Sequence, residues 1–65
     1  MLADDILALL KIRPMTSEEL AKELKRTDPA TTEIDVLVLL HGELRGLLEL
    51  EAGGKWKRIP SGSVG

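Results

Sequence analysis

The sequence predicts a mainly α domain closed by a small β-hairpin: a three-helix bundle followed by two short strands. Three observations carry that expectation. Apolar residues recur with helical spacing in segments that end near Pro14 and near Lys25. A longer apolar run follows and stops at Gly46. Beyond it, Leu48-Glu49-Leu50-Glu51 alternates with period two, Ala52-Gly53-Gly54 offers a turn, and Lys55-Trp56-Lys57-Arg58-Ile59 returns.

The first helix is expected over 2–10. Asp4 and Asp5 fall in its first turn, where carboxylates favour the positive end of the helix dipole. Leu2, Ile6, Leu9 and Leu10 share one face. Pro14 sets the limit, because proline pushes the residue before it out of the α region. A second helix, 17–25, begins at the capping box Thr16-Ser17-Glu18-Glu19. The Thr16 hydroxyl accepts from the Glu19 amide while the Glu19 side chain reaches back. Leu20, Ala21 and Leu24 form its buried stripe, and Glu18 to Lys22 gives an i,i+4 pair.

The third helix has two possible starts. Asp28-Pro29 supplies a cap with proline at the first helical position; Thr32 supplies a later cap. The earlier start is preferred, giving a helix over roughly 29–45. Ile34, Leu37, Val38, Leu44 and Leu48 then lie near one stripe, widened by Val36, Leu39, Leu40 and Leu47. So broad an apolar arc suits a central helix touched on more than one side. Leu24, Val38, Leu44 and Leu47 are expected to be buried. Gly42 sits inside this helix at a cost of roughly 1 kcal/mol and marks a close crossing or a kink. Gly46 is the expected terminating residue. The hairpin spans 48–59, the domain 1–60, and Ser61 to Gly65 is read as a flexible tail.

Composition narrows the functional classes. A chain of 65 residues makes one small domain, near the limit at which a single core suffices. It has no cysteine, so neither disulfides nor thiolate metal sites arise, and Trp56 is the only aromatic residue. No apolar run approaches the roughly 20 residues of a membrane span, and the N-terminus lacks the pattern of a signal peptide. A cytoplasmic protein is the default expectation. His41 is the only histidine, so no multi-histidine metal site can form. Asp4-Asp5 and Glu18-Glu19 are explained as helix-start carboxylates, and Thr16 and Ser17 by capping. Gly53-Gly54 lacks the strand-loop-helix context of a phosphate cradle. The expectation is a binding domain, not an enzyme, with no cofactor, metal or small-molecule substrate.

The order helix, helix, turn, helix, hairpin resembles the winged helix-turn-helix superfamily. It is most similar to the C-terminal winged-helix domain of the DNA-processing protein A (DprA/Smf) family. The resemblance covers residues 2–60 and rests on Thr16-Ser17-Glu18-Glu19-Leu20-Ala21, Glu43-Leu44-Arg45-Gly46-Leu47-Leu48-Glu49 and Gly53-Gly54-Lys55-Trp56-Lys57-Arg58. Asp35 and Gly42 depart from it, standing where such domains tend to carry apolar side chains. DprA-like proteins bind single-stranded DNA mainly through another domain, so the resemblance implies an accessory nucleic-acid-binding module. The hairpin would be its wing.

The charges qualify that implication. Residues 27–46 carry Asp28, Glu33, Asp35 and Glu43 against Arg45 alone. Such a segment is repelled by the phosphates that flank a major groove, and its first turns offer no bidentate base reader. Thr31 and Thr32 remain as donors to phosphate or base edges. Positive charge lies at Lys11 and Arg13 around the first loop, at Lys25 and Arg26 closing the second helix, and in the hairpin. The candidate nucleic-acid contacts are therefore Lys55, Trp56, Lys57, Arg58, Thr31, Thr32, Lys25 and Arg26. One reading has Lys55, Lys57 and Arg58 grip a phosphate backbone, with the Trp56 indole stacked on a base or lying in a minor groove. The preferred one packs Trp56 on the bundle with the lysines facing water, and the two are compatible if the indole packs by one edge. DNA binding through the basic hairpin ranks first. The alternative is protein association through the acidic third helix, which a net charge of −2 favours.

Overall fold

The computed structural model describes residues 2–59. It is a mainly α domain of three helices with a C-terminal antiparallel hairpin, a winged-helix-like arrangement. The expected tail, 61–65, lies outside the described residues.

Helix α1 runs Leu2–Ile12, two residues beyond the expected end. Proline constrains mainly the residue before it, so Arg13 is the one that leaves the helix while its N–H still reaches the Leu9 carbonyl at 3.4 Å. Ala3, Ile6 and Leu10 face the core, whereas Ile12 is 76% exposed. Helix α2, Ser17–Leu24, starts at the expected capping box. The Glu19 N–H donates to Thr16 Oγ1 at 3.1 Å and the Thr16 N–H donates to Glu19 Oε1 at 2.9 Å. Leu20, Ala21 and Leu24 are buried.

That box has a pH signature. The Thr16 N–H, bound to the Glu19 carboxylate, holds its pKa below the ordinary 4.5, and the Arg13 charge helps. A carboxylate with a depressed folded pKa contributes stability that is complete above its unfolded value and lost as pH falls through the folded one. Glu19→Gln should therefore flatten the stability-versus-pH curve below about pH 4.5 and leave its neutral-to-basic limb unchanged. Urea unfolding from neutral pH downward checks this; an acid limb identical in both proteins would contradict it.

Helix α3 departs most from expectation. It spans Glu33–His41, neither starting at Pro29 nor reaching Arg45. Asp28 does not cap it. Its side chain accepts from the Ala30 N–H at 3.1 Å and its carbonyl from the Thr31 N–H at 3.0 Å, a local turn that competes with helix. The later cap wins: Thr32 Oγ1 accepts from the Asp35 N–H at 3.2 Å while the Thr32 N–H donates to Asp35 Oδ2 at 3.0 Å. At the other end Gly42 closes the helix, and Arg45–Leu47 forms a separate 3₁₀ turn that contains Gly46.

The apolar phase of α3 changes with those ends. Val36 and Leu40, one turn apart, are fully buried; Ile34 and Val38 are 71% and 64% exposed. Leu24 and Leu44 are buried as expected, but Val38 and Leu47 are exposed. The expected stripe was phased on Leu44 and Leu48, which are not helical, so it pointed to the wrong side. The core instead joins Ile6, Leu10, Leu20, Leu40 and Leu48 across the helices and hairpin.

Strands β1, Leu48–Leu50, and β2, Trp56–Arg58, pair antiparallel with Leu50 opposite Trp56. Gly53 and Gly54 turn the chain at φ +89° and +77°, which a side chain would resist. Met15 adds an isolated antiparallel bridge to β2: its N–H donates to the Trp56 carbonyl at 3.1 Å and the Trp56 N–H donates back at 2.7 Å. This bridge stitches the α1–α2 loop to the hairpin. Among the described residues, no helix is long and apolar enough to cross a membrane.

Candidate nucleic-acid interface

The bridge at Met15 decides where positive charge collects. By pinning the loop to β2, it brings the end of α1 alongside the return strand. A groove of about 510 Å³ opens between residues 10–14 and 57–59. Lys11, Arg13, Lys57 and Arg58 line it, with Ile12 and Ile59 between them and no carboxylate in its wall. Lys11 and Arg13 are legible in the sequence as loop charges, but their spacing along the chain does not place them beside the hairpin. The only sequence signal for the grouping is an apolar Met15 in a loop, which nothing local marks as a strand partner.

The four cations are not equally available. Lys57 Nζ lies 3.1 Å from Glu49 and 3.2 Å from Glu51, and both carboxylates raise its pKa above the ordinary lysine value. Its charge is largely compensated within the hairpin. Arg13 sits 3.6 Å from Glu19, a loose and exposed pair. Lys11 and Arg58 make no ion pair among the described residues, so they dominate the outward field. Lys55 is exposed beside the turn, outside the groove wall.

The other expected contacts are dispersed. Trp56 is half-buried, packed on the core, with its ring edge-on to His41 at 5.2 Å between centroids and 84° between planes. Part of the indole is thus committed to packing. Thr31 is 5% exposed, which corrects its reading as a surface donor. The Thr32 hydroxyl is held by Asp35, donating to Oδ2 at 3.0 Å, so its hydrogen is directed at a carboxylate. Lys25 follows α2 and Arg26 lies 3.7 Å from Glu23; neither lines the groove.

The opposite sign gathers at the starts of α2 and α3. Ser17 Oγ donates to Glu33 Oε2 at 3.0 Å, which places the start of α2, with Glu18, beside the acidic start of α3. A phosphate backbone brought to this face would meet these carboxylates first. Among the described residues no group of three or more His, Asp and Glu side chains is arranged to hold a metal ion. Compared with known proteins, the chain matches no family model, no curated protein and no solved structure.

Proposed function

We propose that this domain binds the phosphate backbone of nucleic acid through the groove between the end of α1 and β2, with little reading of sequence. The observation that supports it is the gathering of Lys11, Arg13, Lys57 and Arg58 along one groove that no carboxylate lines. Cations spaced along a groove neutralise successive phosphates and release counterions, which supplies affinity without base contacts. Helix α3 stays out of the contact because Glu33 and Asp35 would repel it. Under this reading the likeness to the DprA winged-helix domain extends to an accessory, cytoplasmic, DNA-binding role.

Fluorescence anisotropy against duplex and single-stranded DNA, titrated over salt, tests the proposal. Lys11→Glu with Arg58→Glu should weaken binding more than about tenfold and reduce the duplex salt slope by about 2, roughly one for each lost phosphate contact. Lys22→Glu with Arg45→Glu changes net charge equally but lies outside the groove wall. That control should lose no more than about threefold through the general field. Equal losses in the two variants, or no salt-sensitive binding by the unmodified chain, would refute the reading.

Protein association is a second reading, favoured by one observation. Ile34 and Val38 stand exposed one turn apart on α3, beside Glu33 and Asp35. Apolar side chains ringed by charge on an exposed helix are the ordinary anatomy of a protein contact.

A further inference from the structure

We propose that the acidic, apolar face of α3 seats in the basic groove of a second copy of this chain. The contact goes beyond nucleic-acid binding, although it uses the same groove. Two surfaces of the molecule match in kind. On α3, Ile34 and Val38 are 71% and 64% exposed, flanked by Glu33 and Asp35. In the groove, Ile12 and Ile59 are 76% and 41% exposed, flanked by Lys11, Arg13 and Arg58. Each has two branched apolar side chains to bury and a charge sign that the other complements.

The same charges select the geometry. A symmetric pairing of two α3 faces would set Glu33 and Asp35 against their own copies, and a symmetric pairing of two grooves would oppose cations. Like charges across an interface are costly. Placing α3 of one copy in the groove of the next satisfies both surfaces. This contact is heterologous, so each added copy leaves one groove and one α3 face open at the ends. Association therefore continues past the dimer as concentration rises. A groove filled by a neighbour's carboxylates is closed to phosphate, so assembly and nucleic-acid binding exclude one another.

Sedimentation velocity over a concentration series at low and high salt reads this out. The unmodified chain should pass beyond dimer mass at low salt and fall back towards monomer at high salt, because surface charges are screened. Glu33→Lys with Val38→Lys disables the α3 face and spares the Thr32–Asp35 cap; Lys11→Glu with Arg58→Glu disables the groove. Each variant alone should remain monomeric. An equal mixture should associate again, since each supplies the surface that the other has lost. Amide shifts of the unmodified chain on dilution give a check independent of any variant: 33–38 should move together with 11–13 and 57–59. A chain that stays monomeric at low salt, stops at a closed dimer, or associates equally in either variant would overturn the proposal. The α3 variant also separates the two readings, because it should retain or gain DNA affinity, having lost a repelling carboxylate, while losing self-association.

Discussion

Replacing Leu40 by alanine should cost about 2–5 kcal/mol, whereas replacing Val38, two residues earlier, should change stability by less than about 0.5 kcal/mol. Leu40 is completely buried and meets the core shared by α1, α2 and the hairpin, so its loss leaves a cavity that the neighbours close only in part. Val38 is 64% exposed and loses little on truncation. Native stabilities are typically only about 5–15 kcal/mol, and a domain this small sits low in that range. The Leu40 variant should therefore have a substantial unfolded fraction at ambient temperature. Urea unfolding followed by far-UV circular dichroism measures both. Equal losses would mean that α3 is rotated from the phase described above.

Gly42→Ala should cost about 1–3 kcal/mol, the usual range for a group forced into occupied space. A Cβ at this position would stand 2.7 Å from the Val38 carbonyl oxygen, a backbone atom of the last helical turn that cannot swing aside. Gly46→Ala meets nothing within 4 Å and should be close to neutral. The difference identifies which glycine ends the helix. Gly42 takes φ −111° and ψ −102° there, and the Leu44 N–H closes back on the Leu39 carbonyl at 2.9 Å. Thermal melts of the two variants decide it; a Gly46→Ala loss as large as the Gly42→Ala loss would return the terminus to Gly46.

The two glycines show where local reading works and where it fails. Sequence spacing places Gly42 inside the helix because Leu44 and Leu48 fall on the continuation of its stripe, with Leu47 widening it. A nearly continuous apolar run from Ile34 to Leu40 offers periodicity little contrast, so the distant leucines set the phase. Once the helix stops at His41, Leu44 enters the core by another route and Leu47 does not enter it. Thr32 and Asp28 posed a similar contest. Both are good caps in isolation, and the turn that Asp28 makes with Ala30 and Thr31 removes it from competition.

What the sequence determined by itself was a set of features governed by interactions within a few residues. The capping box at Thr16, the interruption of α1 before Pro14, the buried stripe of α2 and the positive-φ turn at Gly53-Gly54 all depend on such short-range chemistry. The acidic character of α3 was legible for the same reason, since charge is a property of composition. The groove was not. Lys11 and Arg13 become neighbours of Lys57 and Arg58 only because two hydrogen bonds join Met15 to Trp56 across more than half the chain. Tertiary structure likewise chose the face of α3 that is buried, because a helix whose apolar residues run almost unbroken from Ile34 to Leu40 is oriented by what packs against it. Spacing along the chain records neither decision: both depend on the relative placement of elements that come together only in the folded core.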